Sequence, residues 1–103
     1  GISMSSYDRR MKKVKKFYNK PISEECFNLD LAFVDFMVPR LELFKEDASK
    51  IIDYDFTIID EILEGFKLYQ KKFDWELEDM GKNMEIVRKS MNIFTEHLYE
   101  FWW

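Results

Sequence analysis

From position 56 onward the chain keeps one rhythm: residues 56, 59, 63, 66, 70, 73, 77, 80, 84, 87, 91, 94, 98 and 101 alternate steps of three and four without a slip. They are Phe, Ile, Leu, Phe, Gln, Phe, Leu, Met, Met, Val, Met, Phe, Leu and Phe, so only Gln70 is polar. Such steps place successive residues on one face of an α-helix, and chance placement does not hold phase for so long. Asp53 or Asp55 is expected to cap its start. One unbroken helix of ~46 residues would span about 69 Å, with no other segment long enough to cover it. The pattern therefore predicts a helical hairpin, broken either at Lys71–Asp74 or at Gly81, where glycine could serve as a C-cap. The first position is favoured. Ile58, Ile62, Tyr69, Trp75, Ile86, Ile93 and Trp102 widen the apolar face beyond a narrow seam, which suits a bundle helix touching two neighbours, or a dimer.

A first main helix precedes this half. Ser23 or Asn28 offers its N-cap, and Leu29, Ala32, Phe33, Phe36, Met37, Leu41 and Phe44 supply a helical stripe running to about Lys45. Pro39 lies inside that stripe and removes one backbone hydrogen bond, so a bend is expected near Asp35–Val38 rather than a break. Glu46 to Asp53 is polar and reads as the connection. Taken together, these signals predict an all-α fold. Its form is a three-helix bundle with a kinked first main helix, a long helical hairpin and a basic N-terminal arm or short helix. The single helical domain covers residues 23–103. Residues 1–22 comprise the tripeptide Gly1-Ile2-Ser3, which reads as a remnant of expression ahead of a native start at Met4, and the basic arm.

Composition supports a packed core. The chain is 47% hydrophobic and 17% aromatic, whereas disordered chains are poor in aromatics. Three glycines and two prolines leave few turns for a many-stranded sheet. The 103 residues fit one domain. No apolar run approaches the ~20 residues needed to cross a bilayer, and no signal-peptide core is present. Lone Cys26 excludes an internal disulfide and reads as a small apolar filler in a reducing compartment.

Charge is divided unevenly along the chain. Residues 1–20 carry Arg9, Arg10, Lys12, Lys13, Lys15, Lys16 and Lys20 against Asp8, a balance of +6. Residues 21–103 balance to −10, giving −4 in all. Within the arm, Met11, Val14, Phe17 and Tyr18 can share a helical face between Tyr7 and Lys20, and Pro21 ends the segment.

Catalytic chemistry finds few candidates. His97 stands between Glu96 and Glu100, but the Glu-x-x-His spacing of di-iron bundles is absent because position 94 is Phe. His97 therefore reads as an ordinary surface or packed residue. With one Cys and one His, no nucleophile–base arrangement assembles, and no Gly-rich phosphate loop exists. The expectation is a non-enzyme with no catalytic residues, no metal site and no cofactor.

Binding surfaces are better represented. Asp60, Glu61, Glu64, Asp74, Glu76, Glu78 and Asp79 form the candidate acidic surface. It could occupy a basic groove on a partner, the plainer reading being a solvated face. Arg9, Arg10, Lys12, Lys13, Lys15 and Lys16 form the candidate basic arm. Without a recognisable reader motif, its charge favours a protein partner or the acidic body over nucleic acid. Trp75, Trp102 and Trp103 are candidate anchoring aromatics, because chain ends seldom carry exposed Trp unless it is held in a core or an interface.

Several segments together resemble a known pattern. Phe27-Asn28-Leu29-Asp30, Met37-Val38-Pro39-Arg40-Leu41 and Phe44-Lys45 resemble W-x-L-D … I-L-P-R-L-x-x-F-K. Ile59-Asp60-Glu61-Ile62 with Gly65-Phe66 resembles I-L-D-x-M-I-x-A-F. Met91-Asn92-Ile93-Phe94 through Phe101-Trp102 resembles G-L-x-L-F-x-K-Y-F-x-x-L-W. These patterns belong to a widespread group of small helical proteins encoded by tailed bacteriophages and prophages. Phe27 replaces the usual Trp, His97 falls where the pattern has Tyr, and a polar insert between the last two helices is missing. The resemblance implies provenance rather than mechanism, because that group has no assigned activity.

The reading is a phage-type helical protein-binding module in the cytoplasm of an infected bacterial host. It would inhibit a host defence factor, such as a CRISPR effector, by surface complementarity. The alternatives are a phage nucleotide or small-ligand binder and a virion or assembly component. The expected partner is a host protein, with no membrane and with a homo-oligomer left open.

Overall fold

The computed structural model describes Arg9 and residues 26–103. The other basic-arm residues, Arg10, Lys12, Lys13, Lys15 and Lys16, lie outside the described residues. So do the amphipathic segment, the Ser23 cap and the boundary at 22/23. Three α-helices and no strand occur among the described residues: α1 (Leu29–Ala48), α2 (Thr57–Gln70) and α3 (Met80–His97). None is long and apolar enough to cross a membrane.

α2 is the central helix, packed by α1 on one side and α3 on the other. Its seam residues Ile59, Leu63 and Phe66 are buried, and Ile62 joins them. Phe66 is fully buried, with ring centroids 5.6 Å from Phe33 of α1 and 5.5 Å from Phe94 of α3. One ring thus ties three helices, and aromatic pairs of this kind add about 0.5–1.5 kcal/mol each beyond their burial. At the other end of the core, Phe44 packs on Phe56, Phe101 and Trp103 at 6.1, 5.7 and 5.5 Å.

The α1 stripe differs from the one the spacing suggests. Val34, Val38, Leu41 and Ala48 are buried, while Leu29 is 65% exposed and Phe33 and Phe36 are only half-covered. Between Leu29 and Phe44 apolar side chains occur on nearly every side of the helix, so periodicity alone does not select a face. Polar pairs flank the α1–α2 contact. Tyr69 donates to Asp30 at 2.5 Å and Gln70 to Asp35 at 2.9 Å; Glu42 meets Lys67 at 3.6 Å and Lys45 meets Asp60 at 2.6 Å. From Asp35 to Lys45 on α1 the partners fall from Gln70 to Asp60 on α2, so the pair is antiparallel. Gln70, the one polar seam residue, is polar because it makes this cross-helix bond.

α1 runs unbroken through Pro39, whose missing N–H leaves Asp35 without its usual helical donor. It also extends three residues past Lys45, because Ala48 is completely buried. The connection is therefore 49–56 rather than Glu46–Asp53. α2 starts with Phe56 at the cap position, yet Asp55 still accepts the Thr57 N–H at 3.2 Å and its hydroxyl at 2.6 Å. Cys26 is exposed, not a core filler, since it precedes α1 where no other described element packs.

α2 and α3 come close together at Gly65. The Ser90 hydroxyl accepts from Gly65 N–H at 3.0 Å and donates to Glu61 C=O at 2.8 Å. Those two groups are the ends of one rung of the α2 ladder, so a buried serine bridges it from the neighbouring helix. A Cβ on residue 65 would lie 2.2 Å from Ser90 Oγ and 2.4 Å from its Cβ. Glycine is required here by close approach, not by φ.

Candidate functional site

The segment joining α2 to α3 reverses the chain without glycine or proline and without any positive φ among the described residues. α2 ends at Gln70; Lys72–Asp74 makes one 3₁₀ turn, Trp75 and Glu76 are extended, and Leu77–Asp79 makes a second 3₁₀ turn leading into α3. This places the break at the favoured Lys71–Asp74 position and leaves Gly81 inside α3. Side chains hold the reversal from within. Trp75 Nε1 donates to the Leu68 carbonyl at 3.1 Å, which also accepts the Lys71 N–H at 3.1 Å where α2 ends. The Trp75 ring meets Tyr69 edge-on at 6.1 Å. Lys72 pairs with Asp30 of α1 and lies over the rings of Tyr69 and Phe73 at 5.2 and 5.1 Å. The Lys72 ammonium, aided by the Tyr69 hydroxyl, holds the Asp30 carboxyl down to about 2.

With the inner side clamped, the remaining side chains are displayed. Phe73 is 76% exposed, Leu77 85% and Met80 47%, although all three continue the apolar seam. Interleaved with them, Asp74, Glu76, Glu78 and Asp79 are all exposed. Single exposed apolar residues are ordinary, but three within eight positions make this the stretch where the apolar seam is left uncovered. Four carboxylates around it create a local negative field that steers basic surfaces toward it.

The seven acidic candidates do not form one surface. Asp60 pairs with Lys45 toward α1. Glu61 and Glu64 line a small hollow on the α3 side with Lys89 and Ser90. The other four sit on the turn beyond the far end of α2. Arg9 is exposed.

Among the aromatic candidates, Trp75 is anchored as described. At the C-terminus Phe101 lies between Phe44 and Phe94. Trp102 is 72% exposed with its Nε1 donating to the Tyr99 carbonyl at 3.0 Å, and Trp103 is half-exposed against Phe44. A 3₁₀ turn at Leu98–Glu100 ends the helical rhythm, leaving Phe101 and Trp103 against Phe44 and Trp102 turned outward.

One cluster had no signal in the sequence pattern. Tyr54 donates to Glu100 Oε1 at 2.6 Å and His97 Nδ1 lies 2.9 Å from Glu100 Oε2. These bonds lower the Glu100 carboxyl, while burial and the carboxylate raise the Tyr54 phenol. The three residues strap the 49–56 connection to the end of α3, a fastening that 46 residues of separation hides from local reading. No group of three or more His, Cys, Asp or Glu among the described residues could hold a metal ion. No family model, curated protein or solved structure matches the chain, so its function is argued from its own surface.

Proposed function

We propose that the chain is a helical protein-binding module whose working surface is the turn between α2 and α3. The carrying observation is the outward display of Phe73, Leu77 and Met80 among four carboxylates on a turn braced by Trp75. Apolar side chains held at a fixed geometry supply a contact core at little ordering cost, and the carboxylates supply a charged rim. The complementary surface is a basic, apolar-lined groove on another protein. In the phage setting that the sequence resemblance implies, the partner is a host defence factor in the bacterial cytoplasm. The chain inhibits it by occupying that groove, without catalysis.

Affinity capture of the full chain from infected bacteria tests this. A host protein is expected at low salt and lost progressively as salt rises, because screening weakens charged rims. Absence of any host protein under both conditions counts against the module reading.

A further inference from the structure

A second surface lies beside the turn, of opposite charge. Lys67 and Lys71, one helical turn apart at the end of α2, face Lys82 and Asn83 in the first turn of α3 across a groove of about 380 Å³. Leu68 and Ile86 form its apolar floor, and Glu64 is the one acid in its lining. The region from 21 to 103 holds only nine basic residues against nineteen acidic ones, and three of the nine converge here. Lys71 and Lys82 have no carboxylate within ion-pair distance among the described residues, and Lys67 reaches only Glu42, at 3.6 Å. With three exposed lysines and only Glu64 beside them in the lining, the groove carries net positive charge and is complementary to an anion. α3 adds to this: its first turn carries Lys82 and no acid, at the positive end of the helix dipole.

We infer that this groove binds a small soluble polyphosphate of the nucleoside di- or triphosphate class. Three lysines and the Asn83 amide would take the phosphate oxygens, and Leu68 with Ile86 would receive the ring. The volume falls within the range of small-molecule sites, and the mix of an apolar floor with a few polar groups is what such sites use. This reading is independent of the turn: it uses none of Phe73, Leu77 or the four carboxylates.

Isothermal titration of the full chain with ATP and with pyrophosphate, at low salt, tests it. Saturable one-to-one binding is expected, tighter for ATP than for pyrophosphate because only ATP uses the floor. Lys71→Glu/Lys82→Glu should weaken it at least tenfold, with the helical circular dichroism unchanged. Lys12→Ser/Lys13→Ser/Lys15→Ser/Lys16→Ser should leave it intact, which separates the groove from the basic arm. In amide NMR spectra the Asn83 side-chain signal should shift on ATP addition. The inference is overturned by no saturable heat with either ligand, by equal binding in the groove variant, or by loss of binding in the arm variant. Association with phosphatidylglycerol vesicles in place of ATP also overturns it.

Discussion

α2 and the turn that follows it carry the same apolar rhythm with opposite outcomes. In α2 the three-four steps end in Ile59, Leu63 and Phe66, all buried between two helices; in the turn and at the first residue of α3 they end in Phe73, Leu77 and Met80, all exposed. Periodicity states which residues would share a face if the helix continued. Burial depends on what lies opposite that face, and opposite the turn no described element is packed. The contrast separates a scaffold from a displayed surface within one continuous pattern.

The largest test of this contrast is stability. Phe66→Ala should cost about 3–5 kcal/mol in denaturant unfolding, as core Phe truncations do. Leu77→Ala should stay within about 0.5 kcal/mol, as exposed positions do. Similar costs for both would erase the distinction. Next comes Gly65→Ala, which should destabilise by about 1–3 kcal/mol through overlap with Ser90, despite the ~1 kcal/mol better helix propensity of alanine. Adding Ser90→Gly removes the overlapping atoms, so the double variant should cost clearly less than the sum of the two single ones.

A smaller effect sharpens how the turn is held. Asp30 titrates at about 2 in the folded chain against 3.8 in the reference state, because Lys72 and Tyr69 bond its carboxylate. A depressed folded value means that the contribution is fully present above about 3.8 and is lost as pH falls toward 2. Thermal melts from pH 5 to pH 2 should therefore fall less steeply for Asp30→Asn than for the natural sequence. Equal slopes would mean that the Asp30 clamp contributes nothing.

Much of the scaffold was legible before any coordinates. The hairpin and its break followed from the seam, because a long periodic run excludes an uncovered single helix. The α1 face was legible in part: Leu41 is buried and Phe33, Met37 and Phe44 pack on the core as the stripe suggested, whereas Val34 and Val38 are buried although neither belongs to it. With apolar residues all round, the face is decided by what α2 and α3 offer for packing, and that depends on other segments. The Tyr54–Glu100–His97 strap was hidden for the same reason. Phe73, Leu77 and Met80 looked like core through rhythm alone. The clue that they are displayed was the density of Asp74, Glu76, Glu78 and Asp79 around them, at the position already favoured for the break.

The central claim is that the turn, and not the outer face of α1, touches the partner. Photo-crosslinking of the full chain in infected cells tests it, with Leu77→benzoylphenylalanine compared against Leu43→benzoylphenylalanine, a second exposed apolar position. The account predicts a host-protein adduct from position 77 that disappears with Glu76→Gln/Glu78→Gln, and none from position 43. An adduct from position 43 alone would contradict it.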